Sequence, residues 1–278
     1  MAVWIIIILG LVQGACEFLP VSSSGHLVLF YNIFNITDNT ILLSVVLHVA
    51  TLASVVFCYW KDIVNLIKHP FCETNKKLVA ATIPTVVIVL ILKSAVEKSF
   101  GGDFIIIGFL ITAILLIIAS IMENKNAKAL KNSYFVSQYN TNHDITNLNI
   151  NYKQAITIGV AQGLAIFPGI SRSGSTIATG LLCGVKKSEV ADFSFLLSIP
   201  IILASLMFEV LDVAINKVTV GFSALTFAVG FLVSFVSGLI CIKLMLKFVK
   251  KQKLYWFSIY LVMLSVFLIL NNYVLFLF

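Results

Sequence analysis

CEFLPVSSSGH, residues 16–26, puts a carboxylate, three hydroxyls and an imidazole into a chain that otherwise reads like lipid. Such groups cost several kcal/mol in an apolar setting unless they are paired or put to use. The setting is apolar throughout: 60% of the 278 residues are hydrophobic, 11% are charged and the mean hydropathy is +1.04. A soluble domain carries about 25% charged residues. The composition therefore predicts an all-α polytopic membrane protein. The net charge of +7 sits on lysines in short loops, not on a basic face interleaved with aromatics, so nucleic acid is not expected as a partner. No Lys or Arg precedes Lys61, and the first apolar stretch is expected to stay in the mature protein rather than to act as a cleaved signal.

Outward from the opening stretch, six apolar runs approach the roughly 20 residues that a spanning helix needs. They are 41–60, 78–93, 104–122, 193–214, 218–242 and 254–278. Four other segments fit less well. Residues 3–20 and 154–168 carry internal glycines and run into prolines, while 27–36 and 175–185 are too short to cross. They form two pairs, 3–36 and 154–185, hinged at PVSSSGH and PGISRSGST. The expectation is two re-entrant helical hairpins. Irregular backbone at membrane depth is tolerated only inside protein or around a wet cavity.

Sliding the sequence over itself by 149 positions brings GLVQGACEFLPVSSSG onto GVAQGLAIFPGISRSG with seven identities in sixteen positions. An internal repeat follows. Residues 1–122 form the first half, 123–153 a polar cytoplasmic connector and 154–278 the second half, each half with one hairpin and three spans. Three spans per half turns the second half upside down. With that topology fifteen lysines fall on one side and three (Lys93, Lys98, Lys217) on the other, so the rich side is cytoplasmic and both termini lie outside. Paired broken helices in an inverted repeat point to a binding site where the two hinges meet.

Gln13 and Glu17 lie one helical turn apart on one face. Glu17 there can bind a divalent cation, act as a base, hold a basic partner, or simply fix the hairpin. Arg172, the single arginine beside eighteen lysines, sits in the second hinge. Its planar fork suits phosphate, and a resting salt bridge to Glu17 is compatible with that role. Ser171, Ser173, Gly174, Ser175 and Thr176 in one hinge, and Ser22, Ser23 and Ser24 in the other, offer hydroxyls and helix N-termini to an anion. Small hydroxyl residues also serve helix packing. His26 can transfer a proton, attack phosphorus or cap a helix. His48 reads as structural or as a support standing behind the site, and Glu189 and Asp192 as loop acids. The five cysteines and four histidines show no zinc spacing or complete disulfide set.

QGACEFLPVSSSGH and PGISRSGST, followed by DFSFLLSIP, closely resemble the bacterial undecaprenyl-diphosphate phosphatase family, also called the bacitracin-resistance family. The resemblance implies hydrolysis of a C55 polyprenyl diphosphate to the monophosphate, recycling the carrier for peptidoglycan synthesis in the bacterial plasma membrane and conferring bacitracin resistance. It implies a paired-acid motif on Gln13 and Glu17, Ser23 and His26 in the first hinge, and Ser171, Arg172 and Thr176 in the second. It also implies a divalent cation, Mg2+ or Ca2+, near Glu17. Two positions depart from the family pattern: Gln13 cannot ionise, and His48 stands where the family often has glutamine. A polyprenyl-phosphate carrier or flippase without hydrolase activity is the alternative, since broken helices in inverted repeats also serve transport. The lipid phosphatase superfamily is a poorer match, because its arginine-proline element is missing.

Overall fold

A computed structural model describes residues 3–36, 40–99, 102–131, 145–215, 223–250 and 254–272. Among them are eleven α-helices, one 3-10 turn at Ile145–Asn147 and no strands. The first broken pair is α1 (Val3–Phe18) and α2 (Ser23–Ile33), followed by α3 (Thr40–Cys58), α4 (Trp60–Lys68), α5 (Glu73–Lys98) and α6 (Gly102–Lys131). The second pair is α7 (Tyr152–Leu164) and α8 (Arg172–Leu182), followed by α9 (Lys187–Ile215), α10 (Ala224–Lys250) and α11 (Tyr255–Leu270).

Helices α5, α6, α9 and α10 are long and apolar enough to cross a bilayer, and α3 with α4 makes a fifth crossing if that bent pair is one span. The chain is a multi-pass membrane protein. Its long helices expose Ile91, Leu232 and Met263 where a soluble protein would carry charge. Several boundaries differ from the sequence expectation. Helix α10 begins six residues later than the run 218–242 and ends eight later. Helix α11, with 16 residues, is shorter than the run 254–278, whose last six residues lie outside the described ones. The run 41–60 ends in a 75° bend, beyond which α4 lies as a separate short helix that buries Leu66 and exposes Ile67. Its polar residues Lys61, Asp62, Asn65 and Lys68 share one face, so α4 is amphipathic where α3 is apolar.

Helix α6 runs on to Lys131, residues 132–144 lie outside the described ones, and 145–151 pack onto α5, where Thr74 accepts from the Leu148 amide (3.0 Å) and the buried Lys77 donates to the Leu148 carbonyl (2.9 Å). Lys217, Lys251 and Lys253, which entered the lysine tally, also lie outside, as do the side chains of Glu209 and Asp212. Glu189 and Asp192 are not loop acids. Both lie in α9, and Asp192 accepts from the Tyr59 hydroxyl at 2.8 Å.

The packing is reciprocal. Helix α1 lies along α10, and α7 lies along α5. A Cβ on Gly10 would stand 3.1 Å from the Gly230 carbonyl oxygen, and one on Gly159 would stand 2.1 Å from that of Ala81. One turn on, Gly14 meets Ser237 and Gly163 meets Ile88. All four pairs obey the same shift: 10 and 14 become 159 and 163, while 81 and 88 become 230 and 237. Small residues let these helix backbones approach closely, and hydroxyls then bond across the gap. Ser237 donates to the Gly10 carbonyl (3.2 Å) and Thr85 to that of Gly159 (2.7 Å). The broken pairs are thereby clamped from both sides, and their hinges come together between the long helices.

Candidate active site

Both hinges are built alike. Helix α1 stops at Phe18 ahead of Pro20, and α7 stops at Leu164 ahead of Pro168. Each chain then restarts as a helix on a serine N-cap. Ser22 accepts from the Gly25 amide (3.4 Å), and Ser171 from the Gly174 amide (3.1 Å). Each cap hydroxyl also lies 3.3 Å from the serine two residues on, Ser24 and Ser173. The second helices therefore begin at Ser23 and Arg172 rather than at 27 and 175. Ser23 and Arg172 become first-turn residues, and their side chains project where the unpaired amides of the helix start also point.

Glu17 is the hub where the hinges meet. One carboxylate oxygen holds the Arg172 guanidinium of the opposite hinge. The other accepts from Ser23 Oγ at 2.6 Å and from Gln13 Nε2 at 3.0 Å. His48 Nε2 stands 3.9 Å from that second oxygen, while its Nδ1 sits 2.9 Å from the Ser44 carbonyl. Glu17 is 5% exposed and Arg172 18%, so the pair is largely withdrawn from solvent. Removing either partner strands the other charge, which costs about 3–5 kcal/mol. Ser173 donates to the Leu19 carbonyl (3.1 Å) and ties the hinges together a second time.

A cavity of about 60 Å³ opens beside the pair, and its polar walls are Glu17, Ser22, Ser23, Ser24, Ser171 and Arg172. Six of the residues named from the sequence thus share one chamber. Six others stand outside its lining, among them the buried Ser175. Gln13 is fully buried and reaches the site only through Glu17. The hydroxyl of Thr176 is turned onto the Arg172 and Ser173 carbonyls and lies 2.5 Å from Ser194 Oγ. Gly174 and Ser173 serve the hinge backbone. His26 is buried, with Nδ1 2.7 Å from the Ser22 carbonyl and Nε2 2.7 Å from the Tyr260 hydroxyl.

Sequence reasoning misses Tyr260 and Ser194, while His48 stands behind Glu17, one of the two places open to it from the sequence. No signal in the sequence links Tyr260 to a hinge 234 residues away. The spacing of His48 to Glu17 is likewise a product of how α3 crosses α1.

Among the described residues no group of three or more His, Cys, Asp or Glu could hold a metal ion. The oxygen donors near the hub are nevertheless those a hard cation takes: the Glu17 carboxylate, and the Gln13 Oε1 atom, which is buried without a hydrogen-bond partner. These fit a cation whose remaining ligands come from phosphate oxygens and water, and do not fit one held by protein carboxylates alone.

The sequence model of the family described as bacitracin resistance protein BacA matches residues 6–267. A protein of Carboxydothermus hydrogenoformans named undecaprenyl-diphosphatase is 38% identical over 262 residues, covering 94% of each chain. One of the same name from Methanosphaera stadtmanae is 36% identical over 97% of this chain and 98% of its own. A third, from Alkaliphilus metalliredigens, is 39% identical over 91% and 93%. A match of this extent, running through both hinges and every long helix, makes the chain a member of the bacitracin resistance protein BacA family.

Proposed function

We propose that the protein is an integral membrane hydrolase that converts undecaprenyl diphosphate to undecaprenyl phosphate and inorganic phosphate, returning the lipid carrier to peptidoglycan synthesis. The observation that carries this reading is the meeting of Glu17, Ser23 and Arg172 at one small polar cavity between two broken helices. The names of the relatives supply the substrate, and the cavity supplies the chemistry.

Phosphoryl transfer depends mostly on positioning and on stabilising charge. In the proposed sequence Arg172 exchanges the Glu17 carboxylate for the oxygens of the terminal phosphate, aided by the Ser22, Ser24 and Ser171 hydroxyls and by the amide-rich starts of α2 and α8. Glu17, released from its counter-charge, takes the proton of Ser23 Oγ, which already donates to it. The Ser23 oxygen attacks the terminal phosphorus, the bond from phosphorus to the bridging oxygen breaks, and undecaprenyl phosphate leaves with the electron pair and takes up the proton from Glu17. Water, deprotonated by the regenerated carboxylate, then attacks the phosphoserine, the bond from phosphorus to Ser23 Oγ breaks, and the proton passes to Ser23 Oγ as phosphate is released. A divalent cation held by Glu17 and Gln13 Oε1 would offset negative charge on the phosphates. Gln162 Oε1, one shift of 149 away from Gln13 Oε1, is also buried without a partner, and no carboxylate stands beside it at position 166. A cation would therefore sit at the first hinge, where Glu17 supplies the charge to hold it.

The finer architecture belongs to the same proposal. Halves 1–122 and 154–278, each with three spans and a re-entrant hairpin, are inverted copies joined by the connector 123–153. The lysine-rich loops face the cytoplasm and both termini face out. The reciprocal contacts of α1 with α10 and α7 with α5 support it. The test is phosphate release from undecaprenyl diphosphate by the purified protein in detergent, with and without chelator. Turnover in wild type and its loss in Arg172→Ala, Glu17→Ala and Ser23→Ala support the reading. No release from folded wild type supplied with cation overturns it and leaves a lipid carrier.

A further inference from the structure

Ser22 has a backbone that side chains rarely adopt, φ 70° and ψ 103°, whereas its counterpart Ser171 sits at an ordinary φ of −77°. In the second hinge the positive φ, 85°, falls on Gly169, where no Cβ opposes it. The first hinge therefore needs something to hold a conformation that the second adopts freely. That something is His26. The Ser22 carbonyl receives the His26 amide at 3.3 Å and lies 2.7 Å from His26 Nδ1. A carbonyl only accepts, so Nδ1 carries the proton, and Nε2 of the neutral ring accepts from the Tyr260 hydroxyl at 2.7 Å. The Tyr260 ring stacks on the imidazole with centroids 5.7 Å apart at 14°, and Phe109 closes the other side at 5.2 Å. Both ring nitrogens are thus engaged, and the ring stands outside the cavity lining. The shift of 149 puts Ser175 and Ile111 where the second hinge would need the same pair, and neither can form it. The device belongs to the strained hinge alone.

Resting on the phosphatase reading above, we infer that Tyr260 is a positioning residue for the reaction. Its hydroxyl fixes the tautomer and orientation of His26, and His26 holds the Ser22 carbonyl so that the next residue, Ser23, meets Glu17. His26 then contributes as a bracket and not as the acid or nucleophile.

The test uses the full-length protein in detergent, assayed for phosphate release from undecaprenyl diphosphate. Tyr260→Phe keeps the stacked ring and deletes the hydroxyl, and is expected to lower kcat about tenfold, because a displaced nucleophile loses attack geometry. KM is expected to change by about twofold or less, since Arg172 and Ser171 of the opposite hinge, which hold most of the phosphate charge, stay in place. His26→Asn retains an N–H able to reach the Ser22 carbonyl but lacks Nε2. It is expected to keep far more activity than His26→Ala and to be insensitive to Tyr260→Phe. A Tyr260→Phe protein with wild-type kcat overturns the inference, as does a His26→Asn protein as inactive as His26→Ala. Either result leaves the phosphatase reading standing, because wild-type turnover is scored in the same assay.

Discussion

The two hinges use the same means of starting a helix and divide the charge between them. Each has a proline-terminated first helix, a serine N-cap on the glycine three residues on, and a second serine 3.3 Å from the cap. These features answer a physical demand, since the amides at each helix start lack intrahelical acceptors and must be satisfied inside the protein. What differs is everything the demand leaves free. The first hinge carries the carboxylate, the strained Ser22 and the imidazole bracket, and the second carries the guanidinium and a glycine that absorbs the turn. One hinge alone is a structural motif, and the two facing each other make a polar cavity with a carboxylate on one wall and a guanidinium on the other.

The division of charge is broken most severely by Arg172→Ala, which is expected to reduce phosphate release about 10³-fold, the upper range for losing a preorganised donor. Arg172→Lys is expected to recover little, because an ammonium cannot grip two phosphate oxygens at once. Retention of more than a tenth of wild-type rate by either variant would mean that the second hinge is not the clamp. Next in size is Glu17→Gln, with an expected loss of about 10²-fold, as befits a base. This variant also leaves Arg172 without its counter-charge. Its thermal midpoint is expected to fall, and to recover in the Glu17→Gln, Arg172→Ala double variant, where no charge is stranded.

The clamps around the hinges are alike in plan and unequal in tightness. A methyl on Gly159 would press to 2.1 Å of a backbone oxygen, and one on Gly10 only to 3.1 Å. Gly159→Ala is expected to destabilise by about 2 kcal/mol, within the range for overpacking. At Gly10 a gain in helix propensity of about 1 kcal/mol offsets the milder crowding. Thermal unfolding in detergent with equal midpoints for the two variants would remove the asymmetry.

Much of this comparison was legible from residues alone. The hydrophobic runs, the two broken pairs and the shift of 149 required only periodicity and self-alignment, and the Arg172 to Glu17 pair stood among the readings open to the second hinge as a resting salt bridge. The partners that escaped detection share a physical cause. Tyr260, Ser194 and the approach of His48 depend on which faces of α11, α9 and α3 turn inward, and apolar helices with weak amphipathicity do not advertise a face. The bend after Tyr59 was hidden for a different reason. No Pro or Gly marks it, and Trp60, Ile63, Val64, Leu66 and Ile67 prolong the apolar run while the polar face of α4 holds only Lys61, Asp62, Asn65 and Lys68.

The smallest expected effect tests the strain that separates the hinges. Glycine at an N-cap costs only a few tenths of a kcal/mol relative to serine, while a side chain held at positive φ costs about 1–3 kcal/mol. Ser22→Gly is therefore expected to raise stability slightly, and Ser171→Gly, at φ −77°, to lower it slightly. The sign difference matters more than either size, because cap chemistry is the same in both. If both variants lose stability equally, Ser22 is not strained and the bracket has nothing to hold. If Ser22→Gly is the more stable, it is also expected to shrink the effect of Tyr260→Phe on kcat, since a glycine keeps that turn without the pull of His26 on its carbonyl.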